Sequence, residues 1–253
     1  MNRIGLQIYT VRNLLKTDED AQRIFHVIKE IGYEGVQIYG PRGSVEQAVS
    51  YAKFAKEAGL AVEGILVDID SCETNEESLF ALCREHHIPE IGISSRFSDF
   101  EKIDSYIERV NRFAARAKAE GLRFSYHNHG HEFIRLADGK RAMDRFLEEF
   151  DNAIDFMPDT YWIQDGGYDV RYFLEQTKGR VNVLHLKDMK RTEEGHTYAE
   201  VGCGNLYFEG IIRTALDCGI RQFFVEQDLC EGDPLDSIKT SYENTLKILE
   251  GMK

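Results

Sequence analysis

The sequence predicts an α/β fold, a single (β/α)8 TIM barrel spanning residues 1–253, and three observations carry that expectation. Short apolar runs alternate with longer amphipathic stretches, and the alternation can be counted eight times. The length of 253 residues matches the usual size of one such barrel. No linker, low-complexity tract or shift of composition divides the chain.

The expected strands, in order, are Ile4–Tyr9, Gly35–Tyr39, Ala61–Val67, Glu90–Ser94, Arg123–His127, Ala153–Met157, Val181–Leu186 and Gln222–Gln227. They are rich in Ile, Val, Phe and Leu and too short for helices. Between them, Asp20–Ile31, Ser44–Ala58, Asn75–His86, Asp99–Glu120 and Phe208–Cys218 repeat apolar residues at helical spacing. Ser44 reads as an N-cap with Gln47 at the third helical position, and Gly59 stops that helix. Gly32, Gly121, Gly179 and Gly219 end other helices a few residues before the next strand. An open doubly wound sheet is the competing arrangement, but no GxGxxG follows the first strand.

Composition narrows the function classes. A net charge of -13 argues against nucleic-acid or anionic-membrane partners, which need a basic surface. The five cysteines are odd in number and lack a CxxC pair, so free thiols in a reducing cytoplasm are expected. The start MNRIGLQIYTV has no basic segment followed by an apolar one, and no stretch approaches the roughly 18 apolar residues that span a bilayer. A soluble, cytoplasmic protein is the expectation, with a homo-oligomer possible.

In a barrel the active site lies at the C-terminal strand ends, which makes polar residues there candidates. Glu132 follows the fifth strand in YHNHGHEF, Asp159 the sixth in DTYW, His185 stands within the seventh in LHLKD, and Glu226 ends the eighth in VEQD. Three carboxylates clustered without a cation would repel one another, so Glu132, Asp159, His185 and Glu226 read as a divalent-metal set. Oxygen-dominated coordination with one imidazole suits Mn2+ first, with Mg2+ or Co2+ close behind and Zn2+ less favoured for want of thiolates. About two positions of an octahedral ion would stay open for a chelating carbonyl and hydroxyl.

Other residues are candidates for the substrate. Lys187 shares the strand face of His185 by period-two spacing. Trp162, the only tryptophan, offers an apolar wall to a substrate. Tyr9 and Arg12 stand at the first strand end, and Arg191 follows the seventh. His127, His129 and His131 alternate like a metal triad, but the strand must bend before Glu132, so only His129 is assigned to substrate contact or support of the ligands. Gly202 and Gly204 in VGCGN could present backbone N–H groups to an anion, while Cys203 between them lacks a base and reads as loop packing. His86 and His87 read as a helix C-terminal cap.

The whole chain resembles the sugar phosphate isomerase/epimerase superfamily, the xylose-isomerase-like metal-dependent barrels that include ketose 3-epimerases, inosose dehydratases and hydroxypyruvate isomerases. The segments that carry the resemblance are GLQIYTVR, YHNHGHEF, DTYW, LHLKD, VGCGN and VEQD. It implies that Glu132, Asp159, His185 and Glu226 are the metal ligands, that Glu132 and Glu226 double as acid and base on opposite substrate faces, and that His129 and Lys187 neighbour the substrate.

The implied activity is isomerisation or epimerisation of a small ketose or related keto-sugar. A proton is removed next to a metal-bound carbonyl and an enediolate is formed. Dehydration of a keto-inositol or keto-glycoside shares the first half of that reaction. A metal-dependent apurinic endonuclease would need histidines on strands two, three and four, and those strand ends have none. A non-catalytic sugar-binding barrel would show a damaged ligand set.

Overall fold

The computed structural model describes residues 2–39, 45–94, 97 and 99–252. The expected N-cap Ser44 lies outside the described residues. Eight parallel strands carry the fold: β1 (Arg3–Gln7), β2 (Gly35–Tyr39), β3 (Ala61–Val67), β4 (Glu90–Ile93), β5 (Arg123–His127), β6 (Ile154–Met157) and β7 (Val183–Leu186), with β10 (Gln222–Val225) as the eighth. β8 (Asp188–Thr192) and β9 (Gly195–Ala199) form a separate antiparallel hairpin between β7 and β10.

The order around the sheet is β6-β5-β4-β3-β2-β1-β10-β7. Parallel bridges Phe156↔Val181 and Asp159↔His185 join its two ends. His185 N–H donates to Pro158 O at 2.8 Å across that seam. The result is a nearly closed barrel, as the eightfold pattern predicts. Its seam falls where β6 and β7 both end in polar residues, which brings their side chains together.

The helix Asp18–Ile31 illustrates how the sequence writes each outer element. Thr17 Oγ1 accepts from Asp20 N–H at 3.1 Å, and Asp18, Glu19 and Asp20 face the positive helix end. Ala21, Ile24, Phe25 and Ile28 recur at helical spacing and are buried against the barrel. Gly32 then takes a φ of 122°, a conformation that a side chain would resist. Each large apolar side chain buried this way stabilises by about 1.5–3 kcal/mol.

The main core lies between strands and helices and includes Phe25, Phe80, Phe113, Phe124, Phe146 and Phe173. Leu66, Met157, Val183 and Phe224 pack as a separate group from β3, β6, β7 and β10. They fill the barrel lumen, so the polar residues at the strand ends rest on an apolar floor. Among the described residues no helix is long and apolar enough to cross a membrane.

Several strands are shorter than expected, because β4, β6, β7 and β10 end or begin one to two residues inside the apolar runs. His87 is the left-handed C-cap of the helix Glu76–His86, at a φ of 56°. The β8–β9 hairpin is an addition that the alternation of strand and helix does not foretell.

Candidate metal centre

Four buried side chains converge at the C-terminal ends of β5, β6, β7 and β10. They are His127, Asp159, His185 and Glu226, whose ligand atoms all lie within 4.8 Å of one another. Three of them belong to the set that the sequence indicates. The fourth is His127, where Glu132 was expected.

β5 explains the difference. Ser125 and His127 share one face of the strand, while Tyr126 on the other packs against Phe146 and Phe150 among the helices. His127 is therefore the last inward side chain before the chain turns. At Gly130 a Cβ would strike the Asp165 carboxylate, so any larger residue there would have to push that side chain aside. After it the short 3-10 segment His131–Phe133 carries Glu132 aside. There Glu132 accepts from Tyr126 Oη and from the His129 backbone N–H, both at 2.8 Å. With His129 and the partly exposed His131 it forms a second group. Burial would raise the Glu132 carboxyl, but the hydrogen bonds and two neighbouring imidazoles hold it below the usual range.

The four converging residues are oriented by neighbours. Asp159 caps the helix Thr160–Asp165, with Oδ1 accepting from Tyr161 N at 2.9 Å and Trp162 N at 3.1 Å. Oδ2 faces His127 Nε2 at 3.3 Å. His185 Nε2 lies 2.6 Å from Gln37 Oε1, and its Nδ1 lies 2.9 Å from Glu226 Oε2. An amide oxygen accepts only, so Gln37 fixes the proton on Nε2 and leaves Nδ1 to the cluster. Burial pushes the His127 pKa down to about 4, which keeps its ring neutral and able to ligate near neutral pH.

Lys187 completes the charge pattern. Its Nζ is 2.9 Å from Asp159 Oδ2, 3.1 Å from Glu226 Oε2 and 2.9 Å from Asp228 Oδ1. Burial opposes its charge, but these carboxylates outweigh burial and hold the ammonium well above its ordinary pKa. In return, and against burial, Lys187 keeps Asp159 below and Glu226 well below the usual carboxylate range. Three carboxylates against one ammonium leave an excess of negative charge that a divalent cation would balance. The buried donor set thus fits a metal ion, with two imidazole nitrogens and two carboxylates.

A cleft of ≈ 1120 Å³ opens above this group. Of the expected substrate residues, Tyr9, His129, Trp162 and Lys187 line it. Trp162 also lies beneath Lys187, whose Nζ is 5.4 Å from the ring centroid. Arg12 stacks 3.9 Å over Tyr9 and donates to Asp228 O at 2.8 Å. Arg191 stands instead on the exposed β8–β9 hairpin, its backbone N–H bonded to Asn205 Oδ1 at 2.7 Å, and is not among the described lining residues.

The VGCGN glycines do receive an anion, but it is the chain's own. Asp188 Oδ2 accepts from Gly202 N at 3.0 Å and Gly204 N at 2.9 Å, while Oδ1 accepts from Met189 N at 2.7 Å and Leu206 N at 3.2 Å. The loop is locked under the hairpin rather than open to a phosphate. Gln37, Asn128, Gln7 and Asp228 are site residues that the sequence reading missed. Gln37 and Gln7 had a usable signal, since each is a polar residue near the C-terminal end of a predicted strand.

The family model for the xylose isomerase-like TIM barrel matches residues 25–243. No curated protein matches the sequence. Among solved structures, a sugar phosphate isomerase/epimerase from Parabacteroides distasonis is 22% identical, with 98% of each chain covered and a TM-score of 0.80. A xylose isomerase-like TIM barrel protein from Mycobacterium smegmatis in complex with magnesium is 16% identical over 98% of this chain and 97% of that one, at a TM-score of 0.73. A probable 3-DHS dehydratase from Bacillus anthracis is 14% identical over 96% of this chain and 98% of that one, at 0.71. At these identities the likeness is one of fold.

Proposed function

The chain belongs to the xylose isomerase-like TIM barrel family, and from that premise we propose that it is a divalent-metal-dependent isomerase or epimerase of a ketose or related keto-sugar. The observation that carries the reading is the buried His127, Asp159, His185 and Glu226 group at the strand ends. Those four residues would hold the ion. Two imidazoles favour Mn2+, Co2+ or Zn2+ over Mg2+, and Mn2+ remains the first choice. Such an ion supplies Lewis acidity, which polarises a carbonyl and makes the neighbouring C–H more acidic.

The chain's own groups do the rest. Asp159, fixed by its helix cap, and His185, fixed by Gln37, set the geometry of the site. Glu226, which lines the cleft, takes the proton from the substrate carbon in this reading. Glu132 supports the opposite side by holding the backbone of His129, which lines the cleft. Lys187 stabilises negative charge that develops on a substrate oxygen. The wall of Trp162 helps exclude water.

A dehydratase acting through the same proton removal is the second reading, favoured by the likeness to a probable dehydratase. The two readings diverge only in whether a β-hydroxyl leaves, so product analysis separates them.

The test is metal content of protein purified without chelator, comparing wild type with Glu226→Gln, followed by solvent-deuterium exchange at the carbon beside the carbonyl of candidate ketoses. Stoichiometric metal that falls in the variant, together with exchange, is the expected result. Wild-type protein that takes up no ion even from added Mn2+ would sink the reading and leave a sugar-binding barrel in its place.

A further inference from the structure

One buried side chain of the cleft is used at only one end. Gln7 closes β1, lines the cleft and is 1% exposed. Its Oε1 accepts from Tyr9 N–H at 3.2 Å. A backbone N–H only donates, so the amide oxygen must face Tyr9 and the NH2 group must face the other way. That Nε2 has no hydrogen-bond partner among the described residues. Gln37, on the neighbouring strand, has both ends of its amide engaged, Oε1 by His185 Nε2 at 2.6 Å and Nε2 by Met157 Sδ at 3.6 Å.

Capping does not account for a glutamine at this position. Gln7 caps the 3-10 segment Ile8–Leu14, but serine, threonine, aspartate or asparagine does that with no far end to bury. Buried donors are normally satisfied, and an unsatisfied one destabilises the fold. Departures of this kind concentrate at functional sites.

The strand register places the unpaired donor. Gly5 and Gln7 share the luminal face of β1, while Leu6 turns to the core. At Gly5 a Cβ would strike the Phe224 ring, so that ring closes the space beneath the Gln7 amide. Across β1 and β10, Gly5 pairs with Phe224 and Leu6 with Val225. The next step sets Gln7 beside Glu226. Lys187 approaches Glu226 from β7, with Nζ 3.1 Å from Oε2. In the order β1-β10-β7, Glu226 stands between a neutral donor and a cationic one.

Resting on the keto-sugar reading above, we infer that Gln7 is a catalytic residue: its Nε2–H bonds the substrate oxygen that gains negative charge while Glu226 takes the proton. The proton goes to the Glu226 carboxylate, the C–H electron pair becomes the carbon–carbon double bond of the enediolate, and the carbonyl electron pair moves onto oxygen. A donor already fixed beside that carboxylate needs no reorganisation as the charge forms. Lys187 meets the charge from the opposite side of Glu226.

The experiment compares Mn2+-loaded full-length wild type with Gln7→Met through two readouts. One is deuterium exchange beside the carbonyl of fructose, allulose and ribulose. The other is calorimetric binding of glycolohydroxamate, whose planar O–C–N–O unit copies the enediolate and needs no turnover. In the variant, kcat for exchange should fall roughly 100–1000-fold with KM little changed, and glycolohydroxamate should bind about tenfold more weakly. Mn2+ uptake should match wild type, with Tm within about 2–4 °C of it. Wild-type kcat in a folded variant would overturn the inference, and a lower Tm beside it would mark a purely structural cap. Gln7→Leu is made alongside, and failure of both variants to fold would overturn the inference too, by making the amide structural. No exchange by wild type with any of the three ketoses would count against the keto-sugar reading, and the hydroxamate then decides the inference. Weaker binding to the variant upholds it; equal or absent binding overturns it.

Discussion

Replacing Lys187 by methionine tests the electrostatic account of the metal centre, because it removes a charge while keeping most of an apolar stem. The ammonium is 1% exposed and lies within 3.1 Å of oxygens from both Asp159 and Glu226, with Asp228 at 2.9 Å. Removing one partner of a buried ion pair typically costs about 3–5 kcal/mol, since the remaining charges stay buried without compensation. For a chain of this length each kcal/mol lowers Tm by about 2–4 °C, so metal-free Lys187→Met should melt roughly 6–20 °C below wild type. A divalent ion then replaces the missing charge. Wild type at a hundredfold excess of metal over Kd gains about 2.7 kcal/mol, and the variant should gain more, because the ion meets an uncompensated cluster. The assay is thermal unfolding of chelator-treated and Mn2+-loaded forms of both proteins. A variant that melts within about 2 °C of wild type without metal, or that gains no more than wild type from Mn2+, would refute the reasoning.

Gln37→Leu should weaken metal binding by roughly 10–100-fold in calorimetry, because His185 loses the acceptor that fixes its tautomer, with little change in Tm of the metal-free protein. Asp188→Asn should cost roughly 2–6 kcal/mol, as an amide NH2 replaces one oxygen and leaves two of the four backbone donors unmet. Hydrogen exchange should then rise in β8, β9 and the loop after them, and unchanged exchange there would count against the lock. Glu90, buried at the start of β4, has its carboxyl pKa raised mainly by burial, and Asn182 and Arg123 only partly offset this. A carboxyl whose folded pKa lies above its unfolded value is most stabilising while protonated, and that stability is lost as pH rises through the folded pKa. Glu90→Gln should therefore melt above wild type at pH 7, with the gap closing near about pH 4; a gap that persists at low pH would refute this.

The barrel was legible because its signal is repeated. Eight apolar runs with caps and glycine stops between them leave few architectures, and each strand appears within two residues of its expected place. Asp159, His185 and Glu226 were legible for the same reason, since each follows or ends a strand whose length is fixed by its neighbours. The hairpin was not, because its strands read DMKRT and GHTYA, polar segments that pair with each other outside the core. The VGCGN loop showed its capacity to bind an anion but not which anion. Asp188 lies 14 and 16 residues before the glycines it binds, and only the folded chain reveals that contact.

The exchange of Glu132 for His127 has a physical basis that spacing alone does not expose. Period-two alternation puts His127 in the lumen only if β5 runs straight to its last residue, and the HNHGHE stretch hides where it stops. Once the chain has turned, Glu132 is held by two donors, a buried tyrosine hydroxyl and a buried backbone N–H. Swinging Glu132 into the metal group would break both bonds, at about 0.5–1.5 kcal/mol each or more where the donor is left unmet. It would also add a negative charge to a cluster where three carboxylates already face a single ammonium. An imidazole in that position ligates without adding charge. The surplus left by Asp159, Glu226, Asp228 and Lys187 is then two negative charges, matched to one divalent ion. The same balance separates the two groups by role: the one beside Lys187 is suited to hold a cation, and the one containing Glu132 to hold the backbone and ring of His129 against the cleft.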